Sequence, residues 1–314
     1  SEPYVCIGFH QEAEAEVDMA FCRSNNIPVF RREVGGGAVY LDGNQFFFQL
    51  IVNENNPLLP IRKDTFYQKF LQPVTDTYRE IGIDVTYKPI NDVLAGTRKI
   101  SGTGVGEIGN SVVFVGNIIL DFNYEMMSKV LKVPDEKFRD KVHQTLKENL
   151  TTIREELSQE QAAKWNEENI NDILKAQFQK LLGELQEKQI DDELLAKASE
   201  ISAELMSDEW LHQNGRKYIG RQVKIQTDVN IIQKMHKAPG GLIKATFEKR
   251  GNNIHDVAIS GDFFCYPADV VNRLETHLEG AASSEVEKAI AAFYETGTIE
   301  TAGIQVSDWM MVFG

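Results

Sequence analysis

Cysteine is scarce in this chain. The three present, Cys6, Cys22 and Cys265, are odd in number and far apart. That excludes a disulfide framework and the paired spacing of a zinc site, and leaves reduced core thiols as the expectation. No apolar run approaches the roughly 20 residues that a membrane-spanning helix requires. The first residues, Ser1-Glu2-Pro3, lack the basic-then-apolar profile of a secretory leader, so the expected location is cytoplasmic, with no membrane partner. A basic surplus is missing as well. The net charge of −14 argues against nucleic acid as a partner, because proteins that track phosphate carry excess Lys and Arg. Repeats and low-complexity tracts are also absent.

What is present fits a globular chain. Hydrophobic residues make up 42% and charged residues 25%, close to globular averages, so a substantial core can be buried. A length of 314 residues allows two domains. The most informative stretch is Arg31-Arg32-Glu33-Val34-Gly35-Gly36-Gly37-Ala38-Val39-Tyr40-Leu41-Asp42. Three adjacent glycines forfeit much chain entropy, which is useful only where a positive φ or close backbone approach is needed. A tight turn between strands would account for them. The alternative is a loop on which an anionic ligand lies, neutralised by the two guanidinium groups. The loop is no P-loop, and no Gly-x-Gly-x-x-Gly fingerprint opens a helix there.

A second segment, Asn91-Asp92-Val93-Leu94-Ala95-Gly96-Thr97-Arg98-Lys99-Ile100-Ser101-Gly102, holds a cation between glycine breaks at the start of a strand. Lys99 could be solvated surface charge. As a compact point charge it is also suited to reach an acyl oxygen and a phosphate oxygen together. Asn91 and Asp92 add an amide and a carboxylate suited to a nucleotide edge, a metal or an incoming amine.

In this order, Arg-Arg-x-x-Gly-Gly-Gly-Ala-Val-Tyr followed by Asn-Asp and Gly-x-Arg-Lys-Ile-Ser-Gly resembles the lipoate–protein ligase family. Ile7-Gly8-Phe9-His10-Gln11, Val115-Gly116-Asn117-Ile118-Ile119-Leu120-Asp121, Leu131-Lys132-Val133-Pro134-Asp135-Glu136-Lys137-Phe138 and Leu150-Thr151-Thr152-Ile153 extend the resemblance. His236-Lys237-Ala238-Pro239-Gly240-Gly241-Leu242-Ile243 and Ile259-Ser260-Gly261-Asp262-Phe263-Phe264 resemble the family's accessory domain. Two departures stand out. Val34 occupies a place where many relatives carry Ser or Thr, so a hydroxyl contact to ligand is lost. Relatives also carry a helix-containing segment before the Ile-Gly-x-x-Gln strand. Either such a piece lies outside this sequence or another segment covers that side of the sheet.

The resemblance implies an α+β fold: a mixed β-sheet catalytic domain of the biotin/lipoyl-ligase type with flanking helices over 1–210, then a smaller α+β accessory domain over 211–314. It implies ATP, Mg²⁺ and lipoate, an acyl-adenylate, and transfer to a lysine of a lipoyl-accepting carrier, a lipoyl domain or an H-protein-like one. Lys99 would polarise the acyl carbonyl and hold the α-phosphate. Gly35, Gly36, Gly37 and Ala38 would line the acyl and phosphate site, with Arg32 on phosphate and Gly102 nearby. Asn91 and Asp92 would orient nucleotide, metal or amine, Asp92 being the one candidate metal ligand. Tyr40, Phe46 and Phe48 would wall the acyl pocket, or simply pack the sheet. Lys137 would approach the nucleotide, and Lys129, Lys132, Arg139 and Lys141 would meet an acidic carrier, relieving like-charge repulsion. The chain is expected to act as a monomer, with its C-terminal domain rotating between the two half-reactions. An ATP-independent octanoyl or lipoyl transferase and a non-catalytic lipoate-binding relative are the alternatives. A biotin–protein ligase would show a Gly-Arg-Gly-Arg loop, which is absent.

Periodicity predicts helices over 12–25 and 65–81, the second kinked or restarted by Pro73. Strands are expected over 28–32, 84–88, 100–107 and 112–121, with a hairpin joining 38–41 to 45–52 around Asp42-Gly43. The charge runs of 155–205 read as the solvated faces of two or three helices. Beyond Trp210, strands over 217–227, 241–249 and 253–262 precede helices over 267–278 and 284–294.

Overall fold

The computed structural model describes residues 2–60, 63–213, 229–295, 297 and 299–314; the strand expected over 217–227 lies outside them. Val5 and Ile7 alternate with less buried neighbours, so Tyr4–Ile7 forms a strand, β1, with one face in a core. It pairs in parallel with β2 (Val29–Arg31) and antiparallel with β3 (Val39–Leu41). Beside this small sheet lies a fully antiparallel five-stranded one. Its strands are β4 (Gln45–Asn53), β5 (Val85–Lys88), β6 (Asp92–Ala95), β7 (Arg98–Ile108) and β8 (Ser111–Ile119), in the order β4-β8-β7-β6-β5.

The hairpin expected around Asp42-Gly43 is therefore not formed. β3 is claimed by β1 and β4 by β8, so the Asp42-Gly43 turn is a corner between two sheets. The helix expected over 12–25 is likewise two, Ala13–Glu16 and Met19–Ser24. Val17 leaves the helix to bridge Leu131, and Asp18 caps the second piece by accepting from the Phe21 amide at 3.0 Å.

Lys63–Ile81 runs through Pro73 as one helix. Its buried stripe of Phe66, Phe70, Leu71, Val74, Tyr78 and Ile81 lies against the five-stranded sheet. At roughly 1.5–3 kcal/mol for each large buried side chain, that stripe outweighs the ~3 kcal/mol cost of an interior proline. The 155–205 stretch is not uniformly solvated. Glu167–Leu182 buries Ile170, Leu174 and Phe178 against the same core, with Phe178 5.4 Å from Phe48, whereas Asp192–Leu205 has no buried residue.

The C-terminal part builds a second core. Strands β9 (Val229–Ala238), β10 (Gly241–Arg250) and β11 (Asn253–Gly261) form an antiparallel sheet. Helices Val270–Leu278, Val286–Glu295 and Val306–Phe313 supply its other layer around Phe263 and the fully buried Trp309. A two-stranded ribbon, β12 (Cys265–Tyr266) with β13 (Glu300–Thr301), completes this part. The architecture is thus the expected α+β: mixed sheets with flanking helices, followed by a smaller α+β unit. The unit sits on the glycine loop. The Gly261 amide donates to the His10 carbonyl at 3.0 Å, the His10 ring stacks on Phe263, and the Tyr266 hydroxyl donates to the Val105 carbonyl at 3.0 Å.

Candidate functional site

The β6–β7 hairpin is irregular in one place, and that irregularity builds the site. Lys99 pairs with Leu94 but Ser101 with Val93, so Ile100 is an extra residue in β7. Strict alternation would put residues 99 and 102 on opposite faces; a bulge reorients one of them. As a result a Cβ on Gly102 would lie 3.0 Å from Lys99 Cε and 3.1 Å from Lys99 Nζ. Asp92 is the register partner of Gly102 and shares that face, with its Oδ1 2.6 Å from Lys99 Nζ. The bulge is pinned from below. The buried Tyr78 hydroxyl donates to the Ile100 carbonyl at 2.8 Å and accepts from the Ile119 amide at 3.3 Å. Burial holds that phenol well above its ordinary pKa, in its neutral, donating form.

Lys99 keeps 36% of its side chain exposed and Asp92 25%, so the ion pair stands at an opening rather than inside the core. Asp92 Oδ1 is buried and no hydrogen-bond donor is aligned on it; the ammonium is its close neighbour. A buried carboxylate oxygen with spare acceptor capacity suits a hard cation or an incoming amine. Among the described residues no group of three or more His, Cys, Asp or Glu side chains could hold a metal by itself.

The other expected site residues divide. Asn91 is spent within the strands, its amide donating to the Thr103 carbonyl while its own carbonyl accepts from Thr103 Oγ1 at 2.8 Å. Arg32 wraps the glycine loop, donating to the Gly35 and Gly37 carbonyls at 2.8 and 2.9 Å and to the Cys6 carbonyl at 3.3 Å. Gly36 needs its positive φ of 100°, and Gly8 is free of a Cβ because the Gly36 carbonyl fills that space. Gly35 faces the Phe263 carbonyl and the Phe264 ring, so close approach there is to the C-terminal unit. Val34 is a core residue lying on Gly104 and Gly106 of β7.

Ala38 and Tyr40 belong to the core beneath the small sheet, and the Tyr40 amide points at Met127 Sδ at 3.2 Å. Phe48 packs between Phe114 and Phe178, and Phe46 also lies against that core. Lys137 is exposed on the first turn of Glu136–Asn149 and, among the described residues, makes no ion pair. Of the cluster around it, Lys129 pairs with Glu125, Arg139 donates to the Ser128 and Lys129 carbonyls, and Lys141 lies over the exposed Phe138 ring.

Arg31 is not a ligand cation. It is buried and donates to five backbone carbonyls, those of Gly8, Phe9, Gln11, Trp210 and Leu211. Burial lowers its pKa to about 10, with Glu14 opposing the drop. The three thiols are free and unsuited to easy ionisation where a shift is evident: burial pushes Cys22 up to about 11 and Cys265 far above its ordinary value.

Three polar side chains around the Lys99 strand are given no role by the motifs, although Ser101 and Asn117 lie within them. Ser101 Oγ donates to the Asn117 carbonyl at 2.6 Å, Asn117 Oδ1 accepts from the Gly102 amide at 2.8 Å, and Gln45 Nε2 donates to the Tyr40 carbonyl at 3.1 Å. The available signal was an amide inside an otherwise apolar strand, Val112 to Ile119.

Comparison with known proteins places the chain in a family. A family model described as the lipoyl protein ligase A/B catalytic domain matches residues 1–179. The lipoate-protein ligase A subunit 1 of Thermoplasma acidophilum is 30% identical over 159 residues, covering 48% of this chain and 59% of that protein. Subunit 2 from the same organism is 43% identical over 80 residues, 26% of this chain and 84% of that protein. The octanoyltransferase LipM of Geobacillus kaustophilus is 23% identical over 176 residues, 49% of this chain and 63% of that protein. In fold, the crystal structure of P. falciparum LipL1 in complex with lipoate superposes with a TM-score of 0.67 at 20% identity, over 96% of this chain and 81% of that one. This chain thus spans less than two thirds of the archaeal subunit 1 that it matches.

Proposed function

Because the chain belongs to the lipoyl protein ligase A/B family, we propose that it is an ATP-dependent lipoate–protein ligase. In this reading a lipoate carboxylate oxygen attacks the α-phosphorus of ATP and pyrophosphate leaves. The ε-amine of a carrier lysine then attacks the acyl carbon and AMP leaves. Relatives named as lipoate-protein ligases support the reading, as does the lipoate held by the P. falciparum protein.

The observation that carries it is the Lys99 ammonium, steered by the bulge onto Asp92 and beside a residue without a side chain. Gly102 leaves room for a ligand oxygen next to the ammonium. A preorganised cation there stabilises negative charge developing on an acyl or phosphoryl oxygen. Asp92 would supply one oxygen to Mg²⁺, which is usually held by one or two carboxylates together with substrate phosphates; the metal, when bound, would neutralise phosphate charge. The same carboxylate is placed to take a proton from the attacking ammonium once Lys99 has turned to ligand. Arg32 keeps the glycine loop in shape, and its charge would favour an anion lying on that loop. The exposed Lys137 and its neighbours are the surface offered to an acidic carrier, and the enzyme acts as a cytoplasmic monomer. Among the described residues no helix is long and apolar enough to cross a membrane.

A transferase using a cysteine thioester needs a thiol that ionises near the lysine. Cys265, the one cysteine after Lys99, is buried with its thiol pKa raised. The test is lipoate-dependent ATP–pyrophosphate exchange, with the Lys99→Ala variant alongside. Exchange in the parent and a fall of about 100-fold or more in the variant is the expected result. Acyl transfer between carriers without ATP, from a folded parent that shows no exchange, would overturn the ligase reading in favour of the transferase.

A further inference from the structure

Strands β7 and β8 are bonded backbone to backbone from Ile108–Ser111 down to Thr103–Gly116, and there the ladder stops. Beyond that pair, side chains enter the bonding between the two strands. Ser101 Oγ donates to the Asn117 carbonyl, and the Gly102 amide donates to Asn117 Oδ1 instead of a strand carbonyl. Tyr78 supplies a hydroxyl between the Ile100 carbonyl and the Ile119 amide. The strands part where Lys99 is presented, and Asn117 is the spacer that keeps one of the freed donors satisfied. An unpaired amide at this half-buried place would be destabilising, so the spacing is enforced.

Asn117 also reaches the other way. Its Nδ2 donates toward Gln45 Oε1 at 3.4 Å, and Gln45 Nε2 donates to the Tyr40 carbonyl. Tyr40 lies on β3, the strand that leaves the glycine loop. A line of amides therefore joins the floor of the Lys99 opening to the strand carrying the loop, across the corner between the two sheets. Asn117 Oδ1 is also 4.0 Å from the place a Gly102 Cβ would take, within the space that Lys99 Nζ borders.

We infer that Asn117 is a positioning residue of this site: through Gly102 it sets the distance between β7 and β8 under Lys99, and through Gln45 it ties that distance to the glycine-loop strand. The inference rests on the ligase reading for its catalytic consequence but not for its geometry. Asn117 need not touch substrate; it acts by holding the Gly102 main chain, over which a ligand oxygen would sit. Misplacement of such a floor by an ångström lowers turnover rather than binding.

The experiment compares Asn117→Ala, Gln45→Ala and the double variant with the parent, each checked for a cooperative thermal transition. Amide hydrogen exchange at Gly102 and the rate at which Lys99 is acetylated by acetic anhydride are read in all four. Lipoate-dependent pyrophosphate exchange gives kcat and KM. Asn117→Ala is expected to speed Gly102 exchange about 10-fold or more and to change Lys99 acetylation. It should lower kcat about 10- to 100-fold while KM for lipoate moves less than about threefold. Gln45→Ala should follow in the same direction, and the double variant should resemble Asn117→Ala alone, because coupled residues are not additive. Asn117→Asp keeps the acceptor for Gly102 and should restore protection of that amide. If Gly102 exchange and Lys99 acetylation are unchanged in folded Asn117→Ala, the inference is overturned. A rise in KM with kcat unchanged overturns it too, since that is the mark of lost substrate binding. A parent without any pyrophosphate exchange defeats the ligase reading instead; the positioning role is then decided by the Gly102 and Lys99 measurements.

Discussion

Arg31 and Lys99 are both cations flanked by glycine-rich turns, and the fold treats them in opposite ways. Arg31 is 2% exposed and ringed by main-chain carbonyls from two distant segments, residues 8–11 and 210–211. The indole of Trp210 returns a bond to the Arg31 carbonyl at 3.0 Å. Lys99 stands at an opening with a single carboxylate for company. Availability, more than charge, separates the two. A guanidinium holds its donors in a fixed fork, and when they are turned on buried main-chain carbonyls they are not open to an anion. An ammonium paired with one carboxylate at an opening, both side chains partly exposed, can exchange that partner for a ligand, since partly exposed pairs are worth little to the fold.

The comparison breaks most visibly at Arg31. Arg31→Met keeps bulk but leaves five carbonyls without their donor, and the loss of folding free energy should be about 4 kcal/mol. Urea denaturation at pH 7 measures it. Pyrophosphate exchange per folded molecule should stay within about threefold of the parent, because no part of Arg31 reaches the Lys99 opening. A variant that stays as stable as the parent while losing exchange would reassign Arg31 to the ligand.

His10 sharpens the same contrast, since it lies against Arg31 and under the C-terminal unit. Its ring is buried and stacked on Phe263 at 5.2 Å, and burial, with the Arg31 charge adding, lowers its pKa from 6.5 to about 4. The unfolded chain takes up this proton near pH 6.5, whereas the folded one resists until about 4. Stability from this group is therefore complete above pH 6.5, declines as the pH falls toward 4, and is constant below. The whole loss is about 3 kcal/mol, since each pH step between the two values contributes about 1.4 kcal/mol. Other carboxylates titrate over the same range, so the quantity to read is the difference between parent and His10→Gln. Their stabilities should converge as the pH drops from 7 to 4; parallel curves would mean that His10 takes its proton in the folded state as easily as in the unfolded.

How much of this could be read beforehand follows from where the information sits. Strands β7 and β8 were legible because Gly109-Asn110 turns between two runs of branched residues, and the hairpin is local. Lys99, Asp92 and Gly102 were legible as a set because they belong to one hairpin, although the bulge that brings them to one face leaves no mark in composition. The corner at Asp42-Gly43 was not legible. A dipeptide suited to a two-residue turn says nothing about which distant strands, β1 and β8, will claim the chain on either side. Arg31 was misjudged for the same reason: its carbonyl partners at Trp210 and Leu211 lie 179 and 180 residues away. Val306–Phe313 is apolar on nearly every side, so it has no period by which a short run can be recognised as helix, and only its place under β9 and β10 explains it. The charge runs of 155–205 do lie on helices, but the opposite face of Glu167–Leu182 is buried and meets Phe48 from a strand more than a hundred residues earlier, a partner the local sequence does not name.

The smallest effect is expected one residue from Lys99. Arg98 precedes Lys99 and has the same formal charge, but its side chain lies along Glu155 and Glu156 at 2.8 and 2.7 Å, with about a third of it exposed. Thr151 Oγ1 joins Glu156 at 2.7 Å, and the Thr151 amide donates to the Lys99 carbonyl at 2.8 Å, so the cluster touches the Lys99 backbone from outside the site. Partly exposed ion pairs of this kind contribute roughly 0.2–1 kcal/mol, because solvent screens the attraction and two long side chains lose freedom to form them. Arg98→Ala should therefore cost less than about 1 kcal/mol in urea denaturation, and less still at high salt. Its pyrophosphate exchange should remain within about threefold of the parent, where Lys99→Ala loses nearly all. Equal losses in the two variants would mean that the anion reads the summed charge of the hairpin rather than one ammonium aimed by a bulge.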